Sequence, residues 1–241
     1  MEPYTRLARH YDALQTVFDA SAWADFYQKI WRRAGLAPVT VLDLACGTGA
    51  LAAELLGRGY DVVGTDTSAD MLAVAAGRIQ GDARALLLQQ SMEELDLYGT
   101  VPAAVCSLDG INHLRTRAAL QKTLARVRLF LEPGGVFVFD VLTPAHFRRI
   151  DGLSESLEAE GVFCVWQNSV RGSRCIRRLD LFERKGSAWS RYTEEHMETE
   201  FALDFLEDAL RLAGFGRVRR YGPLRLRPPR PEEERVFFAA W

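Results

Sequence analysis

The segment that most constrains the fold is a strand-like run that enters a glycine-rich turn. Residues 38–50 read PVTVLDLACGTGA, in which β-branched and apolar residues precede Gly47 and Gly49. A helical pattern follows, with leucines at positions 51, 55 and 56. A buried strand that turns directly into a helix predicts the first half of a βαβ unit, which belongs to a parallel sheet covered by helices.

Strand-like and helical segments continue to alternate downstream. We expect buried strands at residues 60–66, 85–90, 103–108 and 136–142, and helices at residues 69–78 and 116–131. Ser68 is the expected N-cap of the first of these helices, and the Glu-Pro-Gly-Gly sequence at residues 132–135 ends the second. The alternation predicts a doubly wound, mostly parallel sheet.

The pattern changes after residue 144 and returns near residue 201. Longer alternating runs at residues 161–170, 174–184 and 189–200 predict an antiparallel insert. A helix at residues 201–213 and strands at residues 218–226 and 236–241 complete the chain. We therefore expect one domain. Its parts are an N-terminal helical lid (1–35), a core (36–143 and 201–241) and the insert on the substrate side (144–200).

The composition is that of an ordinary globular protein. Of the 241 residues, 48% are hydrophobic and 26% are charged, so a core of ordinary size can form. The net charge of -2 makes a nucleic-acid partner unexpected. No window contains the roughly 18 apolar residues that a membrane span needs, and residues 1–10 show no signal-peptide pattern. The four cysteines have neither disulfide nor metal-ligand spacing, which favours a reduced cytoplasmic protein without a metal.

The glycine-rich turn predicts a nucleoside-containing cofactor. Asp66, at the end of the second strand, lies 19 positions after Gly47, the spacing expected of an acid that binds ribose hydroxyls. Residues 47–52 also fit the dinucleotide pattern, so the glycines alone do not decide which cofactor binds. Asp43 would repel a pyrophosphate and would suit the positive charge of S-adenosylmethionine. Asp43 therefore favours S-adenosylmethionine, with a nicotinamide dinucleotide as the alternative.

Three stretches resemble the motifs of class I S-adenosylmethionine-dependent methyltransferases. They are residues 41–49 (VLDLACGTG), 63–72 (VGTDTSADML) and 131–140 (LEPGGVFVFD). The match covers most of residues 38–142. The resemblance implies an α/β, Rossmann-like fold: a doubly wound, mostly parallel seven-stranded sheet with an antiparallel last strand, plus the small antiparallel β insert.

The same resemblance implies how the cofactor binds. Gly47 and Gly49 would flank its methionine part, Asp66 would hold the ribose, and Met71 would pack on the adenine. Further cofactor contacts are expected from Tyr11, Asp43, Ala45, Cys46, Thr67, Gln90, Ser91, Met92 and Leu108. Relatives often carry an acid at the position of Ser91, and a serine hydroxyl is a weaker hydrogen-bond acceptor than a carboxylate.

A narrower resemblance involves small-molecule methyltransferases that act on amines, including sugar N-methyltransferases. Residues 4–12 (YTRLARHYD), Trp23 and residues 107–114 (SLDGINHL) are similar to theirs. This resemblance implies methyl transfer to a small-molecule acceptor, either an amine or a hydroxyl. Because insertions on a rigid scaffold commonly carry specificity, we expect the insert and the N-terminal segment to cover the acceptor together.

Three side chains are candidates for the catalytic centre. Asp109, directly after the fourth strand, either contacts the ligands or caps a turn. His113 either acts as a general base or is a packing or surface histidine. Tyr11 either packs near the sulfonium of the cofactor or belongs to the core. A hydroxyl acceptor needs a strong base and a neutral amine does not, so the sequence fixes no acid–base pair.

Residues 211–230 contain seven arginines and no acid. Such a run could bind RNA or a phosphorylated acceptor, but we favour a solvated face that complements the acidic residues within 194–200. Three alternatives to a small-molecule methyltransferase stay open: an NAD(P)-binding oxidoreductase, a cofactor-binding module without catalysis, and an RNA methyltransferase. The sequence is compatible with a monomer or a homodimer.

Overall fold

The structure, a computed structural model, describes residues 4–15 and 17–241. The interpretations of residues 1–10 and 1–35 made from the sequence therefore fall partly outside the described residues. Two sheets are present in the described ranges: a seven-stranded sheet and a four-stranded sheet.

The strands and helices follow in chain order. The large sheet contains β1 (Thr40–Leu44), β2 (Asp61–Asp66), β3 (Ala85–Gln89), β4 (Val101–Cys106), β5 (Leu131–Leu142), β10 (Val218–Tyr221) and β11 (Arg235–Ala240). The small sheet contains β6 (Ser154–Ala159), β7 (Val162–Arg171), β8 (Arg174–Lys185) and β9 (Ala188–Thr199). The α-helices are α1 (Tyr11–Leu14), α2 (Ala20–Ala34), α3 (Ala50–Gly57), α4 (Ala69–Ile79), α5 (Arg117–Phe130), α6 (Pro144–Ile150) and α7 (Leu203–Leu212). Short 3₁₀ helices occupy Leu7–His10, Met92–Glu94 and Gly110–His113.

The strand order confirms the predicted fold class. It is β10-β11-β5-β4-β1-β2-β3, with β1 to β5 parallel to one another. β11 runs antiparallel to both β5 and β10. Starting from β1, the chain adds β2 and β3 on one side and then places β4 and β5 on the other side of β1. The direction of winding therefore reverses between β1 and β4, and a crevice opens at the carboxyl ends of these two strands.

Helices cover both faces of the large sheet. Successive residues of a strand point to opposite faces, so neighbouring residues of β1 contact different helices. Val41 of β1 belongs to the apolar cluster that includes α2 and α3. Leu42, the next residue, belongs to the cluster that includes α5 and α7. The near-continuous apolar strands seen in the sequence are the expected consequence of burial on both faces. Ser68 caps α4 as predicted, since its side chain accepts the N–H of Met71.

The insert differs from the expectation in its first part. It begins with α6, and its sheet has four antiparallel strands in the order β6-β7-β8-β9 rather than three. Strand β6 has the sequence SESLEA and is mostly exposed, so it carries little apolar alternation to reveal it. The N-terminal segment packs on this sheet, with Leu7 and Leu14 in one cluster with Val162 and Leu179.

Three strands were also predicted with wrong boundaries. β4 ends at Cys106 rather than at residue 108, so Asp109 does not follow it directly. β5 begins at Leu131 rather than at residue 136, so the Glu-Pro-Gly-Gly sequence lies within the strand assignment. β10 ends at Tyr221 rather than at residue 226. The chain turns there, since the N–H of Gly222 donates to the carbonyl of Arg227 and Leu224 has a φ of 49°.

Candidate active site

A cavity of about 670 Å³ lies at the carboxyl ends of β1, β2 and β4. Small-molecule sites usually measure roughly 300–1,000 Å³. The lining includes Ala45 after β1, Asp66 at the end of β2 and Leu108 after β4. The cavity therefore occupies the crevice in which open α/β sheets bind their ligands.

Most side chains predicted to bind ligands lie around this cavity. The lining contains Tyr11, Asp43, Ala45, Cys46, Gly47, Asp66, Thr67, Met71, Gln90, Met92, Leu108 and His113. Three of the predicted residues, Gly49, Ser91 and Asp109, are not among the lining residues. Each of these three has another structural role.

Gly49 is required by packing. Its φ of 70° is left-handed, and it directly precedes α3. A Cβ atom at this position would lie 2.9 Å from the Cβ of Ala75 in α4, closer than a real contact allows. The structure thus gives Gly49 a role in packing the turn against α4, where the sequence predicted a cofactor contact.

Ser91 and Asp109 also face other groups. The hydroxyl of Ser91 donates to the Glu94 carboxylate at 3.5 Å. Asp109 occupies the N-cap of the Gly110–His113 turn, but its side chain makes no capping hydrogen bond. Its Oδ1 instead accepts from Arg235 at 2.8 Å, and its backbone N–H donates to Asp140 Oδ2 at 2.9 Å. The Asp109 carboxylate therefore belongs to an ion-pair network with Arg235 and Asp140.

Asp66 holds the glycine-rich turn in place. The backbone N–H groups of Gly47 and Ser68 donate to its Oδ2 and Oδ1 at 2.9 Å and 2.8 Å. Burial raises the pKa of Asp66 above its ordinary value, although these hydrogen bonds oppose the rise. A Cβ atom on Gly47 would meet nothing within 4 Å. The turn thus leaves open space on its cavity side, next to an oriented carboxylate.

Asp43 is a buried carboxylic acid on the cavity wall. It is 1% exposed, and its Oδ2 has no hydrogen-bond partner among the described residues. Burial and the nearby charge of Asp66 raise its pKa to about 7. A buried oxygen without a donor destabilises the fold unless a ligand supplies one. Asp43 therefore marks a place where a donor of the bound ligand fits.

Four rings line one part of the cavity, called here the aromatic end: Tyr4, Tyr11, His113 and His196. The Tyr4 hydroxyl lies 3.1 Å from His113 Nε2 in a hydrogen bond, and the Tyr4 and His196 ring centroids are 4.5 Å apart. Burial raises the pKa of Tyr4 well above its ordinary value and that of Tyr11 to about 12. Both phenols therefore stay protonated near neutral pH.

Glu194 of β9 attaches the N-terminal segment beside this end. Its carboxylate accepts the backbone N–H groups of Tyr4, Arg6 and Leu7 at 2.8, 2.7 and 3.2 Å. His196 Nε2 lies 3.2 Å from the same carboxylate. One side chain of the insert thus fixes the position of the segment that carries Tyr4.

Sequence reasoning missed several residues of this region. Asp12 accepts from the Thr48 hydroxyl at 2.7 Å and pairs with Arg78, which joins the N-terminal segment to the glycine-rich turn. Thr48 lies between the two glycines, and that position was the available signal. Glu194 and His196 gave no local signal, because the backbone partners of Glu194 are 187 to 190 positions away.

The arginine-rich stretch has different partners from those predicted. Arg220 pairs with Asp204 and Glu207 at 2.7 Å, and Arg225 pairs with Glu233. Of the acids proposed as partners, Glu194 is buried against His196, and Glu198 is buried against Arg177. Glu194 and Glu198 are therefore not the predicted partners of this stretch, because their side chains are buried in contacts of the insert.

Comparison with known proteins identifies the family. Residues 41–135 match the family model described as a methyltransferase domain. YqeM of Bacillus subtilis (strain 168), named as a methyltransferase, is 30% identical over 98% of this chain and 96% of its own length. A solved S-adenosylmethionine-dependent methyltransferase from Clostridium acetobutylicum ATCC 824 shares the fold, with a TM-score of 0.89 and 24% identity over 98% of both chains.

The chain belongs to the class I S-adenosylmethionine-dependent methyltransferases.

Membership of this family decides between the two cofactors that the glycine pattern left open. The methyltransferase uses S-adenosylmethionine, and its cavity fits that choice, since Asp43 lacks a donor and Gly47 leaves space. A further relative is dTDP-3-amino-3,6-dideoxy-alpha-D-glucopyranose N,N-dimethyltransferase of Streptomyces fradiae. It is 34% identical over 45% of this chain and 42% of its own length. Within the described residues, no helix has the length and apolar character needed to cross a membrane.

Proposed function

We propose that this methyltransferase methylates a nitrogen of a small-molecule amine. The observation that carries the proposal is the set of cavity groups at the aromatic end that could take a proton, which are two phenols and two imidazoles. Burial keeps the Tyr4 and Tyr11 phenols protonated, so they can orient an acceptor but do not serve as bases near neutral pH. A hydroxyl acceptor would need a strong base and an imidazole is a weak one, whereas an uncharged amine attacks with its own lone pair.

The residues proposed to hold the cofactor are Asp43, Gly47, Asp66 and Met71. Asp66 is already oriented by two backbone N–H groups and is free to accept from ribose hydroxyls on its remaining lone pairs. Gly47 leaves the backbone open to close approach. When bound, the cofactor supplies a methyl group on a positively charged sulfur, and the protein contributes placement and electrostatics.

His113 is the residue proposed to take the proton of the amine. An amine in water near neutral pH is mostly protonated and must lose that proton before it can attack. The His113 ring lines the cavity, and its Nε2–H, by donating to the Tyr4 hydroxyl oxygen, would fix the orientation of the ring and leave the Nδ1 lone pair for that proton. Tyr4 is therefore a positioning residue for His113, and Tyr11 shapes the cavity beside it.

The N-terminal segment and the insert are proposed to close the cavity over the acceptor. Tyr4 and Tyr11 from the first, and residues 195–197 from the second, all line the cavity. Exclusion of water by these segments would strengthen electrostatic interactions with the acceptor. We expect small molecules rather than RNA as acceptors, because the net charge is -2. The amino-sugar N-methyltransferase among the relatives supports the choice of nitrogen.

Matched pairs of amines and alcohols test the proposal. Each pair is incubated with the enzyme and S-adenosylmethionine, and the methylated products are identified by mass spectrometry. We expect methyl transfer to amines but not to the matched alcohols, and His113→Gln should reduce turnover more than it reduces cofactor affinity. Methylation of hydroxyls alone would contradict the choice of nitrogen.

A further inference from the structure

Three side chains that could each donate a lone pair to a cation meet next to the aromatic end. One atom each of Asp109, His113 and Glu198 lies within 4.8 Å of the other two. They come from the loop after β4, from the 3₁₀ turn that follows it, and from β9 of the insert. The fold thus joins the core and the insert at this cluster, and the proposed reaction uses only His113.

Glu198 has an unsatisfied oxygen in this cluster. The residue is 2% exposed. Its Oε1 accepts from Arg177 at 2.9 Å, whereas its Oε2 has no hydrogen-bond partner within the described part of the chain. Buried polar atoms in native proteins almost always have a partner. The Oε2 atom therefore points to a ligand that carries a hydrogen-bond donor.

The charges around the cluster favour a ligand with one positive charge. Three connected carboxylates, of Asp109, Asp140 and Glu198, face two guanidiniums, of Arg177 and Arg235. One negative charge is left over, which a single positive charge would balance. A divalent metal would introduce excess positive charge beside two arginines, and it would compete with them for the same carboxylates.

The spacing permits an ammonium group. Two acceptors that each lie about 2.9 Å from a tetrahedral nitrogen are about 4.7 Å apart, and one oxygen each of Asp109 and Glu198 lie within 4.8 Å of each other. We propose that Asp109 and Glu198, beside His113, bind an ammonium group of the methyl acceptor, distinct from the nitrogen that is methylated. His113 keeps its lone pair for the proton of the reacting nitrogen.

The bound group is not the reacting nitrogen, because neighbouring carboxylates favour its protonated form. A protonated nitrogen has no lone pair with which to attack. The acceptor class is therefore a molecule with two basic nitrogens, one held as a cation and one that receives the methyl group. The second part of this inference rests on the proposed function. The same carboxylates would repel an acceptor that carries a diphosphate.

Binding of matched probes tests the site without turnover. The enzyme, loaded with S-adenosylhomocysteine, is titrated with linear diamines of two to five carbons and with the diols of equal length, which carry no ammonium. Binding heat and the ring NMR signals of His113 are recorded. We expect one diamine to bind about tenfold or more tightly than its diol, since a charged donor is exchanged for a neutral one. Glu198→Gln should remove this preference, and Glu158→Gln, an exposed acid of β6, should leave it intact.

Two results would overturn the proposal. The first is equal affinity of the wild-type enzyme for every diamine and its diol. The second is binding of Mg²⁺ or Mn²⁺ that Glu198→Gln abolishes, which would assign the cluster to a metal. Because Glu198→Gln leaves Arg177 without its buried partner, Asp109→Asn serves as a second variant. Methylation of hydroxyls alone would refute the proposed function but leave these binding results standing.

Discussion

Glu194 is expected to hold the N-terminal segment over the cavity. It is 1% exposed, and its two oxygens accept three backbone N–H groups, from Tyr4, Arg6 and Leu7. Replacement by glutamine keeps the size of the side chain. It removes the charge from all three hydrogen bonds and turns one acceptor oxygen into an N–H donor.

The magnitude follows from these contacts. A hydrogen bond to a charged group contributes about 1.5–3 kcal/mol. Glutamine keeps the oxygen that faces Arg6 and Leu7 but loses the one that faces Tyr4, and it relieves part of the desolvation of the carboxylate. We expect Glu194→Gln to destabilise the attached state by about 2 kcal/mol, which is roughly 30-fold in the ratio of attached to detached segment.

Hydrogen exchange measures this ratio directly. Amides of residues 4–15 should exchange roughly 30-fold faster in Glu194→Gln, while those of the large sheet should not change. Glu183→Gln is the control, because Glu183 contacts the His10 side chain of the same segment, at 3.1 Å, and should have a smaller effect. Equal exchange in the wild type and in Glu194→Gln would refute the reasoning and assign the attachment to apolar packing.

The pH dependence of the same exchange has a defined sign. Burial raises the pKa of Glu194, but hydrogen bonds from His196 and from the backbone of Arg6 and Leu7 lower it by more, so the net pKa lies below 4.5. The contribution of Glu194 to attachment of the N-terminal segment is therefore present at neutral pH and is lost as the pH falls below 4.5 and through the depressed pKa. The resulting increase in amide exchange at acid pH should be absent from Glu194→Gln.

Three further predictions concern the cofactor side of the cavity. Asp66→Ala should weaken binding of S-adenosylhomocysteine by roughly 10- to 200-fold; a loss below twofold by calorimetry would remove Asp66 from the site. Gly49→Val should lower the melting temperature, because its Cβ would lie 2.9 Å from that of Ala75; an unchanged melting temperature would contradict the packing role. Burial raises the pKa of Asp43 from 3.8 to about 7, so the cofactor-free protein should lose stability as the pH rises across the interval between these two values. Asp43→Asn should remove that loss in thermal melts, and an identical pH profile would show that Asp43 is ionised throughout.

The fold could be predicted because its signals are local. The apolar run of β1, the glycine-rich turn and the helix behind it are contiguous, and Ser68 caps α4 within three residues of its partner. The carboxylate at the end of β2 was identified from spacing alone. The same local signals placed most of the cofactor-side residues around the cavity.

The acceptor side could not be predicted in the same way, because its contacts join distant parts of the chain. The carboxylate of Asp109 is turned towards Arg235, which lies 126 positions away, so a residue expected at the cavity became part of an ion-pair network. Glu198 looked like one acid in a charged run, but its side chain is buried against Arg177. Periodicity within β9 does not reveal which partner occupies its inner face.

A crystal structure with S-adenosylhomocysteine is the most direct test that this cavity is the active site. We expect the ligand at the carboxyl ends of β1, β2 and β4, with its ribose hydroxyls within hydrogen-bond distance of Asp66 and its sulfur towards His113. The ligand bound elsewhere, or its ribose held by other residues while Asp66 bonds only Gly47 and Ser68, would contradict the assignment.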